Sequence, residues 1–151
     1  MDASERDEYF MHLALKEAEK SRIKGEVPVG AVIIYKNKIL SKAHNESIEM
    51  NDSTAHAEIN AIRDACRKRK NYRILDCDLF VTLEPCAMCL GAAVHARIRR
   101  LVFGAPDLKG GAVKSVMEFP FEKMNHRIEI KGGVLEEECR DIIKDFFIDK
   151  R

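Results

Sequence analysis

Apolar residues recur along this chain first at helical spacing and then at strand spacing. Phe10, Leu13, Ala14, Ala18 and Ser21 share one face of a helix. Ser4 with Asp7 three residues on forms a capping-box-like start, so the helix is predicted to begin just after Ser4. Lys24-Gly25 supplies a cation and then a glycine, a fitting stop. Val29 to Tyr35 is β-branched and apolar. Lys36-Asn37-Lys38 turns the chain, and Ile39 to Ala43 returns as the second strand of a hairpin.

A polar loop from Asn45 to Thr54 precedes a second helix that carries Ile59, Ile62 and Cys66, with Ala61 and Ala65 flanking. Asp78 to Leu83 reads as a third strand. Glu84-Pro85 breaks it, and a helix follows through Ala87, Leu90, Ala93 and Val94, with proline suiting the strand-to-helix junction. Arg100 to Phe103 is a fourth strand, Asp107 to Val113 a glycine-rich loop, Arg127 to Ile130 a short fifth strand, and Glu136 to Phe147 the last helix. Strands alternating with helices predict an α/β three-layer sandwich, with helices on both faces of a central sheet.

Length and composition narrow this further. A chain of 151 residues, 46% hydrophobic, is expected to form one domain over 1–151. It holds no apolar run long enough to span a membrane. The first 25 residues are charged and lack the apolar centre of a signal peptide, which makes the cytoplasm the default location. The formal net charge is +1, from 26 basic and 25 acidic residues, so charge alone neither demands nor excludes nucleic acid. Two local concentrations stand out: Arg67-Lys68-Arg69-Lys70 with Arg73, and Arg97 with Arg99 and Arg100. They read as a solvated helix end and a charged turn. His12, His44, His95 and His126 read as surface or hydrogen-bonded histidines. Cys66, Cys77 and Cys139 lie in or beside apolar segments and read as buried thiols.

The chemistry lies in His56-Ala57-Glu58 and Pro85-Cys86-Ala87-Met88-Cys89. His56, Cys86 and Cys89 offer three zinc ligands. A structural zinc site fills all four positions with protein, whereas a catalytic one keeps a position for water. No fourth ligand stands at partner spacing. Glu58, a carboxylate two residues from the histidine, is the candidate to move the water's proton. A Cys-x-x-Cys at a helix start brings both sulfurs to one side, where the helix dipole favours thiolates. His56 and Glu58 are harder to reconcile: residues two apart on a regular helix point about 200° from one another. Both reach one site only if His56 sits in an irregular first turn. Zinc is the metal the ligand types favour, and iron or cobalt also suits them.

H-x-E followed by P-C-x-x-C is the pattern of zinc-dependent nucleobase deaminases. The chain resembles the cytidine deaminase superfamily, and within it the bacterial tRNA-specific adenosine deaminases. The resemblance rests on Val27 to Ala31, Thr54 to Glu58 and Leu79 to Cys86. It extends to Val102 to Ala105, Met124 to Arg127 and Asp145 to Phe147. It implies a mixed five-stranded sheet and a homodimer. It also implies a reaction in which wobble adenosine of a tRNA anticodon loop becomes inosine with release of ammonia. A deaminase of a free base or nucleoside, guanine or cytosine, is the other reading of the same metal motif.

The resemblance further assigns Asn45 to the target nucleoside, although asparagine there also suits a turn stabilising its own loop. It makes Val29 a pocket wall or plain strand core. Asp107 and Lys109 become loop residues meeting neighbouring nucleotides, or else parts of a solvated glycine loop. Phe147 becomes an aromatic beside a flanking base, with core packing the competing role for one of Phe146 and Phe147. Ile148-Asp149 stands where relatives often carry basic residues, which implies a weaker hold on RNA there.

Overall fold

The computed structural model describes residues 1–150. Its chain order is α1 (Ala3–Ile23), β1 (Gly30–Tyr35), β2 (Lys38–His44), α2 (Ala57–Arg69), β3 (Cys77–Leu83), α3 (Ala87–His95), β4 (Arg100–Ala105), β5 (Glu129–Lys131) and α4 (Glu136–Asp149). The five strands form one sheet in the order β2-β1-β3-β4-β5. β1 runs antiparallel to β2 and β3, whereas β3, β4 and β5 are mutually parallel, so the sheet is mixed.

The central strands read as unbroken apolar runs because both their faces are covered. Successive side chains alternate sides. Val32, Ile34, Phe80 and Val102 pack with Phe10, Met11 and Ala14 of α1 and Cys139 of α4. Ile33, Leu79, Val81 and Leu101 pack on the other side with Ala61 and Ile62 of α2 and Leu90 and Ala93 of α3. Gly30 lets α1 lie directly on the sheet: a Cβ there would stand 1.9 Å from the carbonyl oxygen of Ala14.

Several expectations need correction. α1 begins at Ala3, capped by Asp2, whose carboxylate accepts from the Glu5 amide at 2.8 Å. Ser4 therefore lies inside the helix. Asp7 is not part of a cap. It is buried and accepts from both terminal nitrogens of Arg100, at 2.8 and 2.7 Å, and from Lys131 at 2.9 Å. Burial alone would raise its pKa, but these partners outweigh it and hold the carboxyl below its ordinary value. Arg99 likewise grips buried Asp78 at 2.8–2.9 Å. Arg99 and Arg100 are thus structural partners and not merely a solvated turn.

The inward face of α2 is built on its alanines. Ala57, Ala61 and Ala65 are fully buried, while Ile59 and Cys66 are half-buried. The alanines let the helix approach the sheet closely enough for Ser41 Oγ to donate to the Ala61 carbonyl at 2.8 Å. The β1–β2 turn has two residues, Lys36 and Asn37, both with positive φ, which matches the twist of the flanking strands.

Candidate active site

Two helices start where β3 and the loop after β2 end, and each starts on a candidate ligand. His56 is the N-cap of α2, with φ −71 and ψ 155, and Cys86 is the N-cap of α3, with φ −80 and ψ 173. Both are extended residues and neither uses its side chain to cap its helix. This removes the angular conflict between His56 and Glu58. The histidine is not yet on the helical screw, so its ring turns toward the site while Glu58, in the first turn, reaches the same space.

His56 Nδ1 lies 3.7 Å from Cys86 Sγ and 3.6 Å from Cys89 Sγ, and the three ligand atoms all lie within 4.8 Å of one another. Tetrahedral zinc with Zn–S of about 2.3 Å and Zn–N of about 2.0–2.1 Å sets nitrogen and sulfur about 3.6 Å apart. The donor set and its spacing therefore fit zinc, with no fourth protein ligand in the cluster among the described residues. Hydrogen bonding from Cys89 brings the Cys86 thiol down to about 4, while the Cys89 thiol is driven up by the same pairing. Metal binding requires both sulfurs as thiolates.

The side chains front a cleft of about 220 Å³ lined by Val27, Val29, Asn45, His56, Glu58 and Asp107, among others. That is small beside the roughly 300–1,000 Å³ of drug-sized pockets, and suits a single base better than a stretch of chain. Glu58 is 4% exposed. Burial pushes its carboxyl up to about 7, where a group exchanges protons in both directions near neutral pH.

The other predicted residues divide. Val29 lines the cleft and also belongs to the core. Asn45 lines the cleft, yet its amide is engaged in its own loop, donating to the Val27 carbonyl at 3.2 Å and accepting from Ser47 Oγ at 2.9 Å. Asp107 reaches the cleft wall and accepts from the amides of Lys109 and Gly110. The Lys109 side chain is exposed and outside the cleft. Phe146 is 7% exposed and Phe147 49%, so Phe146 packs inward and Phe147 faces out. His44, expected on the surface or hydrogen-bonded, is largely enclosed with neither ring nitrogen bonded.

Two carboxylates shape this site in ways the sequence pattern does not indicate: Glu26, and Glu84, expected only as part of a strand break. Buried Glu26 accepts from the amides of Ile48 and Glu49 and so holds the loop after β2. Glu84, 2% exposed, accepts from the amides of Asp107, Val113, Lys114 and Ser115 and from Ser115 Oγ. Burial opposes its ionisation, but these donors prevail and keep its pKa low. A Cβ on Gly111 would sit 2.3 Å from its carboxyl carbon, so glycine is required there. The available signal was that Glu84 is the only carboxylate between Leu79 and Ala96.

Residues 4–105 match the model of the cytidine and deoxycytidylate deaminase zinc-binding region. A tRNA-specific adenosine deaminase of Haemophilus influenzae is 49% identical over 150 residues, covering 98% of this chain and 87% of that protein. Among solved structures, one from a study of A-to-I editing by tRNA:A34 deaminases at the wobble position of transfer RNA is 44% identical. It superposes with a TM-score of 0.84, covering 89% of this chain and 98% of that one. A guanine deaminase from Nitrosomonas europaea shares the fold alone, at 20% identity and a TM-score of 0.80, over 92% of this chain and 83% of that one. The chain belongs to the cytidine and deoxycytidylate deaminase family, on the side of its tRNA-specific adenosine deaminases.

Proposed function

We propose that this protein is a zinc-dependent hydrolase that deaminates adenosine to inosine at the wobble position of a tRNA anticodon loop. The observation that carries the reading is a carboxylate that shares the cleft with three ligand atoms and is not one of them. His56, Cys86 and Cys89 would hold the metal. Zinc in such a set supplies an activated water at neutral pH. Glu58 would take one proton from that water and pass it to ring N1 of adenine as oxygen adds to C6. It would then take the second proton from the new C6 hydroxyl and hand it to the exocyclic amine, so that the C6–N bond breaks, ammonia leaves and inosine keeps N1–H and C6=O. A carboxyl near pH 7 suits both directions of transfer.

Val29 and Asn45 would seat the base, with Asp107, Lys109 and Phe147 toward the flanking nucleotides. Anticodon loops are single-stranded, so their bases leave the stack at low cost and enter a cleft of this size. The reading includes a single domain, a homodimer and action in the cytoplasm, where the substrate resides. No helix among the described residues is long and apolar enough to cross a membrane.

Incubation with total tRNA followed by nucleoside analysis tests the function. Inosine at the wobble position is expected. Absence of inosine together with ammonia release from free guanine or cytosine would replace this reading with a free-base deaminase. Sedimentation at working concentration tests the dimer.

A further inference from the structure

We propose that the end of α2 remote from the cleft is a second contact surface for RNA, gripping the sugar-phosphate backbone of the substrate outside the anticodon loop. This rests on the RNA reading above. The tip of the β1–β2 hairpin and residues 64–76 carry seven cations, Lys36, Lys38, Arg67, Lys68, Arg69, Lys70 and Arg73, against two carboxylates, Asp64 and Asp76. The whole chain is nearly balanced, so this end is basic because charge has been sorted in space.

The fold gathers these residues. Arg69 stacks over the Tyr35 ring at 4.3 Å and Lys68 Nζ donates to the Leu40 carbonyl at 3.0 Å, which ties the helix end to the hairpin. Only Lys68 of the seven makes an ion pair among the described residues, with Asp64. Cations in a last helical turn favour the negative end of the helix dipole, which accounts for residues 67–69. It does not account for Lys36, Lys38 or Arg73, which come from other segments. Tyr72 beside them is 73% exposed with Arg73 over its ring at 5.2 Å, a flat surface on which a base can stack.

The surface is also connected to the cleft. Arg63, Arg67 and Lys70 follow one another at spacings of four and three along the exposed face of α2. Arg63 lies nearest the cleft, 3.9 Å from Asp52 in the loop before α2. Thirteen helical residues span about 20 Å, so a strand leaving the cleft meets cations along that length.

The test uses the full chain and a triple variant, Arg67→Gln with Lys70→Asn and Arg73→Gln. Asparagine preserves the left-handed backbone at position 70. Arg69 is left in place because it packs on Tyr35. Fluorescence anisotropy measures Kd against salt for full-length tRNA and for a hairpin trimmed to the anticodon loop and its closing pairs. For full-length tRNA the Kd is expected to rise on the order of tenfold, and the log–log salt slope to become shallower by about 2, near 0.7–0.9 per phosphate contact removed. The trimmed hairpin keeps its Kd, and kcat at saturating tRNA is unchanged. Equal affinity and slope in both proteins would overturn the proposal. So would equal loss on both RNAs, or a change in sedimentation, which would assign the surface to self-contact. The Kd comparison judges this surface whether or not inosine forms, while inosine judges the function.

Discussion

Replacing Glu84 with glutamine should loosen residues 107–115 without removing the metal. One carboxylate oxygen, Oε2, accepts from the amides of Val113, Lys114 and Ser115 at 3.0–3.1 Å, and the other, Oε1, from the Asp107 amide at 3.1 Å and from Ser115 Oγ. Glutamine retains a single acceptor. Its best placement puts the carbonyl on the three clustered amides and its NH₂ toward Asp107, donor against donor, while Ser115 Oγ turns to accept. Three charge-assisted bonds become neutral, at about 1 kcal/mol each, and one amide loses its partner, at about 1–3 kcal/mol. The loop is half-exposed, so water recovers part of this, and about 3 kcal/mol of anchoring is lost.

Such a loss corresponds to about 100-fold faster hydrogen exchange at residues 113–115 if these amides open locally. Amides of β1, across the sheet, should keep their protection. Zinc content should stay at one per chain, because Glu84 is not among the clustered ligand atoms. KM for tRNA should rise more than kcat falls, since Asp107 loses its register on the cleft wall. Unchanged exchange at residues 113–115 would refute the anchoring role. Equal acceleration in β1 would show that Glu84 supports the whole fold and not the loop.

Glu58→Ala should retain zinc by metal analysis yet lose about 10²–10⁴-fold in turnover, and normal turnover would remove its role as proton carrier. His56→Ser should abolish metal binding while raising the stability of the metal-free protein by about 1 kcal/mol in urea melts, because serine caps a helix that histidine leaves uncapped. Asp7→Asn should cost about 3 kcal/mol, since Arg100 and Lys131 lose a buried partner. Its folded-state pKa is depressed, so the wild-type advantage is present above the ordinary value of 3.8 and fades as pH falls through the folded value. Phe146→Ala should destabilise by about 3 kcal/mol. Phe147→Ala should leave the melting temperature nearly unchanged while weakening tRNA binding by about 1–3 kcal/mol, which anisotropy measures directly.

What could be read from the sequence follows from range. The first four strands, the stop at Lys24-Gly25 and the Cys-x-x-Cys at a helix start are local patterns, and each lies within a residue or two of its predicted place, whereas the edge strand expected at Arg127 to Ile130 is Glu129–Lys131. Depth within α2 is not legible from apolar residue size. A helix crossing closely over β2 buries Ala57, Ala61 and Ala65 and leaves Ile59 at the margin. The buried roles of Asp7, Asp78 and Glu84 are hidden for another reason. Their partners lie 93 and 124, 21, and 23–31 residues away, so no periodicity marks them, and local pattern assigns Asp7 to a helix cap and Glu84 to a strand break.

The helix ends show how the fold reserves this site. α1 spends Asp2 on its own first turn. α2 and α3 put His56 and Cys86 at the equivalent position and make no side-chain cap, forgoing about 1 kcal/mol each. The uncapped amides and positive dipole ends of both helices therefore point at one cleft, where they favour thiolates and the charge that develops when a water is deprotonated. That sacrifice is local, and it is offset by distant carboxylates: Glu26 and Glu84 pin the two loops that wall the cleft. Ligand geometry and loop geometry thus come from separate parts of the chain. A variant at Glu84 can for that reason alter RNA affinity while the metal stays bound, and a variant at His56 can remove the metal while the loops hold.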